Sequence, residues 1–133
     1  PYSFESYKFY GGTLIELGRF KEAEESLRKA LKIKPDSAEV LRNLTLSVKY
    51  QDPNHKDAQY ILKFLENPKL SESDKIHLWF ALAKIYHDTY QIEKAFEYMS
   101  KANLAISKQH YFDIYHVHQY IIDIQKFCDE SFV

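Results

Sequence analysis

The chain has 133 residues, of which 45% are hydrophobic and 28% are charged, the balance of a globular protein and not of a disordered tail. A formal net charge of -1 excludes a global positive field that would attract nucleic acid or an acidic membrane. Three Gly and four Pro are too few for the turns of a many-stranded β-protein. The single cysteine, Cys128, excludes an internal disulfide framework. These figures predict one helical domain.

The first two predicted helices lie within residues 4–37, where large and small apolar residues recur at helical spacing. Gly18 suits a left-handed end to the first helix, and Pro35 follows the second. Antiparallel helices approach closely only where small residues stand between them. This reasoning selects as crossing points Gly11, Ala23, Ala30, Ala83, Ala95 and Ala102, with Leu14, Leu27, Leu82, Tyr86 and Met99 as their large partners.

A weaker helical pair follows in residues 38–74. Its second helix keeps the spacing only if one extra residue is placed in the turn at Asp52-Pro53-Asn54-His55. The segments Asp36-Ser37-Ala38-Glu39 and Ser71-Glu72-Ser73-Asp74 both have the pattern of a helix N-cap. The apolar residues that carry the two helices are Leu41, Leu44, Thr45 and Val48, then Ala58, Leu62 and Leu65.

A third pair, residues 76–109, repeats the intervals of the first pair without a gap, and Tyr90 occupies the turn position that Gly18 occupies there. Residues 110–128 then carry apolar side chains every three or four positions. We therefore predict a seventh, amphipathic helix here. Its expected role is to cover the apolar side of the third pair, as terminal repeats do.

These intervals resemble the tetratricopeptide repeat, with its aromatic–Leu–Gly first helix and its Ala–large–Ala–Pro second helix. The resemblance implies an all-α fold, a right-handed superhelix of about three helical hairpins plus a C-terminal capping helix, in one domain spanning 1–133. It also implies a non-catalytic module that binds a protein or an extended peptide. In such stacks the first helices line the concave groove. Carried over position by position, the groove residues are Lys8, Glu39, Arg42, Asn43, Leu46, Lys49, Tyr50, His77, Phe80, Lys84 and His87.

The basic and aromatic residues of this set suit a peptide with acidic and apolar groups. Repeat proteins of this family that hold chaperone tails use basic and Asn side chains, and Lys8 and Asn43 match two of those positions. However, Gly12, His77 and Ala81 stand where the remaining clamp residues would be. The sequence therefore argues against a chaperone-tail receptor.

Catalytic and metal sites are not indicated. No two of the six histidines are three or four residues apart, so no histidine pair can chelate a metal from one helix. Cys128, beside Phe127, is expected to be a buried or incidental thiol. The sequence has neither a glycine-rich phosphate loop nor a Gly-x-Ser-x-Gly motif. We expect no catalytic residue, metal or cofactor in this chain.

The last third is also similar to the segment that precedes the catalytic domain in bacterial proteins joining tetratricopeptide repeats to a sulfotransferase. The similarity lies in Ile76–Lys84, Gln91–Tyr98 and Lys101–Leu104, followed by Phe112-Asp113 and a helix ending Phe127-Cys128-Asp129-Glu130-Ser131-Phe132. It implies a downstream domain that would bind 3′-phosphoadenosine 5′-phosphosulfate. This chain would then be the platform that positions an acceptor protein.

Both ends of the sequence are expected to be cut from a longer chain, with Phe127, Phe132 and Val133 either packing on a following domain or simply finishing the last helix. Two alternatives stay open: a free-standing scaffold or co-chaperone-like adaptor, and a structural module that self-associates through its aromatic ends. The Lys-rich, disulfide-free composition predicts a cytoplasmic location. We expect no nucleic-acid or membrane partner.

Overall fold

A computed structural model describes residues 3–131, with the backbone alone for Ser131. This part of the chain forms six α-helices and no β-strand, which confirms the all-α prediction. None of these helices is long and apolar enough to cross a membrane. Phe132 and Val133, which were predicted either to pack on a following domain or simply to finish the last helix, lie outside the described residues. The helices are α1 Phe4–Glu16, α2 Phe20–Ile33, α3 Ala38–Ser47, α4 Lys56–Phe64, α5 Glu72–Asp88 and α6 Ile92–Ser131.

Two helical hairpins, α1–α2 and α5–α6, form the ends of the described fold, and α3 packs between α2 and α5. Serine side chains cap three of the helices. Ser3 caps α1, and at the two predicted caps Ser37 Oγ accepts from Val40 N at 3.3 Å and Ser71 Oγ accepts from Asp74 N at 3.1 Å. These bonds satisfy backbone donors that lack partners in the first turn of a helix. Both predicted caps are therefore confirmed.

The two hairpins turn in the same way at equivalent positions. Gly18 has φ 76° and Tyr90 has φ 61°, both in the left-handed region, so each helix ends in the manner expected of a C-terminal glycine. The backbone bonds that close the turns also correspond, Arg19 N to Leu14 O at 2.8 Å and Gln91 N to Tyr86 O at 2.8 Å. The sequence intervals therefore reflect a true structural repeat, including a turn position where tyrosine takes the place of glycine.

The predicted crossing points all lie in the interior. Ala23, Ala30 and Ala102 are completely buried, and Gly11, Ala83 and Ala95 are buried as well. Four of their large partners, Leu14, Leu27, Leu82 and Tyr86, are buried too, whereas Met99 is 41% exposed. Small side chains thus allow the paired helices to nest as expected, and the exposed methionine marks a face of α6 that no other helix covers.

Gly11 and Gly12 offer a matched test of this packing. A Cβ atom at Gly11 would lie 2.6 Å from Leu27 Cγ, whereas a Cβ at Gly12 meets nothing within 4 Å. We expect Gly11→Ala to destabilise the fold by about 1–3 kcal/mol, because overpacking outweighs the gain in helix propensity. Gly12→Ala should stabilise it by about 0.5–1 kcal/mol. Urea denaturation followed by circular dichroism measures both, and a stabilised Gly11→Ala variant would contradict the close approach.

The middle unit differs from the prediction. Helix α3 ends at Ser47, and eight residues, 48–55, separate it from α4. The prediction was a turn only one residue longer than the turn of the first hairpin. The backbone at Val48 is extended, and its carbonyl accepts a hydrogen bond from Lys84 Nζ at 2.8 Å. The Asp88 carboxylate accepts from Tyr50 N at 3.2 Å. Side chains of α5 therefore hold the linker in place, and α4 packs on α5 and hardly on α3.

The prediction of a separate capping helix at 110–128 is wrong. This segment continues α6, which runs for 40 residues from Ile92 to Ser131. Residues 106–130 are all exposed, so they do not form the packed cap that was predicted. The physical reason is that residues 92–131 contain no glycine or proline, so no helix-breaking residue ends α6 near residue 109.

Candidate functional site

A groove with a cavity volume of about 650 Å³ lies where α3, α5 and α6 meet. Its wall combines apolar side chains with the basic residues Arg42, Lys84 and His87 and contains no acidic residue. Ligand sites of this size are concave and mostly apolar, with a few polar groups that orient the ligand. The complete lining is Arg42, Thr45, Leu46, Phe80, Ala83, Lys84, His87, Ile92, Ala95, Phe96 and Met99.

Five of the predicted groove residues lie together in this wall, on α3 and α5: Arg42, Leu46, Phe80, Lys84 and His87. The α6 wall was missed, because the repeat pattern assigned the binding surface to first helices only. A signal for it existed in the sequence: Ile92, Phe96 and Met99 are spaced four and three residues apart, on one face of a helix.

Arg42 carries the positive charge of the α3 side. Its guanidinium carbon lies 4.4 Å from the centroid of the Phe80 ring, within cation–π distance. Its Nη1 is 3.4 Å from His77 Nδ1. Burial, together with the charge of Arg42, lowers the pKa of His77 below its usual value. His77 is therefore a neutral neighbour that orients Arg42, and it does not line the groove.

The charge of Lys84 is already used within the fold. Its Nζ donates to the carboxylate of Asp88 and to Val48 O, and it lies 5.6 Å from the centroid of the Tyr50 ring. Lys49 Nζ is 3.9 Å from the same Asp88 carboxylate. Arg42 makes no ion pair with any carboxylate in residues 3–131, and His87 is exposed. Arg42 and His87 are thus the groups best placed to meet an anionic ligand atom.

Lys8 and Glu39 lie together but away from the groove wall. Lys8 Nζ contacts Glu39 Oε2 at 2.8 Å, and this hydrogen bond raises the pKa of Lys8 above its usual value. The pair joins α1 to α3. Asn43 is half-buried and Lys49 is exposed, and neither lines the cavity. These four predicted groove residues therefore lie outside the groove wall.

Tyr50 was predicted to face the groove, and the structure contradicts this. The side chain is 1% exposed and belongs to the main hydrophobic core. Its hydroxyl donates to Asp57 Oδ2 at 2.8 Å. Burial and the adjacent Asp57 charge raise the pKa of Tyr50. The reason for the error is the early end of α3: the extended linker turns this residue inward, whereas a continued helix would have presented it to the groove.

Residues suited to other chemistry are dispersed. In the described chain no three His, Cys, Asp or Glu side chains converge in a way that could hold a metal ion. Cys128 is exposed on α6 and not buried. The arrangement at the groove therefore offers shape, apolar surface and positive charge.

A comparison with known protein families matches the two helical hairpins at the ends of the fold. Residues 4–37 and 76–107 match the model of the tetratricopeptide repeat. These are the α1–α2 hairpin and the α5 and early α6 hairpin, and the irregular middle unit lies between them. Neither the curated proteins nor the solved structures gave a significant match.

Proposed function

Because the chain contains two tetratricopeptide repeats, we propose that it is a non-catalytic module that binds a protein segment in the groove between α3, α5 and α6. Stacked helical repeats form concave surfaces that commonly serve for recognition. The observation that supports this proposal is the composition of the groove wall. It joins exposed apolar side chains of α6 to an arginine that has no carboxylate partner among residues 3–131.

The ligand that fits this wall has apolar side chains and a nearby carboxylate. Phe96 is 74% exposed and Leu46 is 45% exposed, so both offer apolar area that a bound segment would remove from water. Arg42, stacked on Phe80, presents a rigid planar donor suited to a carboxylate. A basic segment would meet Arg42 and Lys84 as like charges, which disfavours it.

Two synthetic peptides with the same leucine and phenylalanine residues test the proposal, one carrying glutamates between them and one carrying lysines. We expect the acidic peptide to bind at least about tenfold more tightly in fluorescence anisotropy, a difference of about 1.4 kcal/mol. Leu46→Asp and Phe96→Asp should each weaken that binding by a similar factor. The matched control is Leu17→Asp, since Leu17 directly follows α1, is 65% exposed and lies away from the groove.

Two results would reject the groove as the site. One is unchanged binding in Leu46→Asp and Phe96→Asp. The other is an equal loss in Leu17→Asp. Circular dichroism of each variant shows whether a loss of binding reflects unfolding.

We also propose, on the resemblance of Ile76–Lys84 and the following segments, that the module is the helical platform of a larger sulfotransferase-like protein. In that setting the groove would recruit the acceptor protein. The nucleotide cofactor would belong to the downstream domain. Reading the coding sequence past Val133 tests this: a strand followed by a glycine-rich loop with Arg or Lys supports it, and a stop codon refutes it.

A further inference from the structure

The C-terminal half of α6 extends beyond the helices against which it could pack. At about 1.5 Å per residue, the 40 residues of α6 span about 60 Å and the 17 residues of α5 about 25 Å. Glu72, in the first turn of α5, lines the same shallow surface as Lys108 and Phe112 of α6. The body of the fold therefore ends near Phe112. We call residues 113–131 the overhang.

One face of α6 carries an exposed apolar stripe along nearly its whole length. Its first members, Ile92, Phe96 and Met99, line the groove, and its later members lie on the overhang. The step from Ile92 to Cys128 is 36 residues, ten full helical turns, so the stripe runs straight along the helix. Only Asn103 and His110 are polar members. The stripe consists of Ile92, Phe96, Met99, Asn103, Ile106, His110, Ile114, Val117, Ile121, Ile124 and Cys128, all exposed.

The spacing of the stripe is the same in both directions from His110. Counting outward from it, the intervals are four, three, four, three and four residues on each side. Two copies of α6 placed antiparallel about a two-fold axis at His110 therefore bring every stripe position opposite another one. In that register Ile124 faces Phe96 of the second copy, and Ile121 faces its Met99. The overhang of each copy thus meets the groove of the other.

Charge plays little part in this pairing. The overhang contains four acidic residues, Asp113, Asp123, Asp129 and Glu130, together with the basic residues His116, His118 and Lys126. By helix geometry Asp123 and Glu130 lie on the face of α6 opposite the stripe. The pairing therefore depends on the register and the apolar area of the stripe.

The area is sufficient for a stable dimer. The eight large apolar members of the stripe are between 41% and 74% exposed. With roughly 150 Å² for each fully exposed side chain, the lower end of the range for large aromatic residues, they offer about 650 Å² per chain. Specific interfaces bury about 600–1,000 Å² per partner. No other described element covers this surface, which is larger than the apolar patches that monomeric proteins usually expose.

We propose that this face of α6 binds a second copy of the chain in an antiparallel two-fold dimer, with the overhang of each copy seated in the groove of the other. The inference rests on the groove being the binding surface proposed above. It identifies the apolar segment that the groove takes as residues 113–128 of another copy. The interface is isologous, because the same stripe is used on both sides.

Sedimentation velocity of the full chain across a concentration series tests the dimer. We expect the wild-type chain to sediment as a dimer and Ile121→Asp to sediment as a monomer. The matched control is Ile122→Asp, because Ile122 is 43% exposed next to Ile121, at 56%, but points away from the stripe. A monomeric wild type, or the same loss of dimer in both variants, would overturn the proposal.

Cys128 gives an independent test of the antiparallel orientation of the two α6 helices. In the antiparallel register it faces residue 92 of the second copy, so Ile92→Cys should form intermolecular 92–128 disulfides under a mild oxidant. Mass spectrometry of the linked peptides identifies the pair. A dimer linked mainly through Cys128 to Cys128 would contradict the antiparallel arrangement, because that link places the two C-terminal ends together.

The Ile121→Asp monomer separates this inference from the proposed function. With its groove empty, it should bind the acidic test peptide more tightly than the wild type does, because no overhang competes. If the wild type is monomeric and still binds the peptide through Leu46 and Phe96, the dimer is wrong and the groove function stands. If the wild type is a dimer and the Leu46→Asp and Phe96→Asp variants are still dimers, the overhang does not sit in the groove and this inference is wrong. Peptide binding then decides the proposed function of the groove by itself.

Discussion

Replacing Tyr50 by alanine is expected to destabilise the fold by about 3–5 kcal/mol, the range for removing a large aromatic side chain from a core. Tyr50 is 1% exposed and packs in a core cluster with residues of α3, α4 and α5. Its loss leaves a cavity where the long linker meets these helices. Urea denaturation monitored by circular dichroism gives the free energy. Tyr111→Ala is the matched control, because Tyr111 is 74% exposed, and its change should stay within about 0.5 kcal/mol.

Tyr50→Phe separates the ring from the hydroxyl. It keeps the packing and removes the hydrogen bond to Asp57 Oδ2, so we expect a smaller loss of about 1–3 kcal/mol. A change of less than about 1 kcal/mol in Tyr50→Ala would contradict the buried position. It would indicate that Tyr50 lies on the groove surface, as the repeat pattern predicted.

The repetitive parts of the fold could be predicted because their determinants are local. The spacing of Ala23, Leu27 and Ala30 recurs with the same intervals at Ala95, Met99 and Ala102, and the corresponding helices pack in the same way. Even the turn at Tyr90 followed from its distance to the aligned residues, although tyrosine rarely adopts a positive φ. Periodicity over one helical hairpin carries enough information to place most of its core, although Met99, which aligns with the buried Leu27, is 41% exposed.

The middle unit was harder because distant residues determine it. Position-by-position transfer assumes that every first helix has the same length, and α3 ends at Ser47. The groups that hold the linker in its extended path, Lys84 and Asp88, are 36 and 38 residues away from their backbone partners at Val48 and Tyr50. No local pattern shows such a contact. The error at Tyr50 follows directly from this.

Only part of the groove wall was predicted, for a related reason. The residues on α3 and α5 were predicted from the repeat. The α6 wall exists because no other described helix packs on that face of α6, and the repeat pattern does not show this. The turn expected near residue 109 had no glycine or proline to produce it. Taken without the repeat pattern, the residues after Ile92 favour one long helix, with Phe96 and Met99 exposed on it. The prediction of a separate helix followed the repeat pattern, although the local sequence favours a continuous helix.

The carboxylate of Asp57 links the first hairpin to the middle unit. Arg28 Nη1 donates to Oδ1 at 3.2 Å, Nη2 donates to Oδ2 at 3.1 Å, and the Tyr50 hydroxyl donates to Oδ2 at 2.8 Å. Burial disfavours the charged form of Asp57. The hydrogen bonds from Arg28 and Tyr50 and the charge of Arg28 outweigh burial, so the pKa of Asp57 falls below its ordinary value of 3.8. The residue therefore stays ionised and paired in the folded chain.

We expect Asp57→Ala to destabilise the fold by about 3 kcal/mol near neutral pH, because removing one partner of a buried ion pair strands the other. The figure is at the lower end of the usual range, since the Arg28 side chain keeps 31% of its area exposed. Glu24→Ala is the control. Glu24 Oε2 accepts from Arg28 Nε at 2.8 Å, but the pair is partly exposed, so about 0–1 kcal/mol is expected.

The pH dependence distinguishes the charge of Asp57 from its packing. A carboxyl group whose pKa is lower in the folded than in the unfolded state adds stability that is fully present above the unfolded pKa and is lost as pH falls through the folded pKa. The wild-type chain should therefore lose stability as pH drops below 3.8, and the difference between wild type and Asp57→Ala should shrink over the same range. Urea denaturation at a series of pH values measures that difference. A constant difference down to the lowest pH at which the wild type folds would mean that Asp57 stabilises the fold through shape alone, and that its pairing with Arg28 adds nothing.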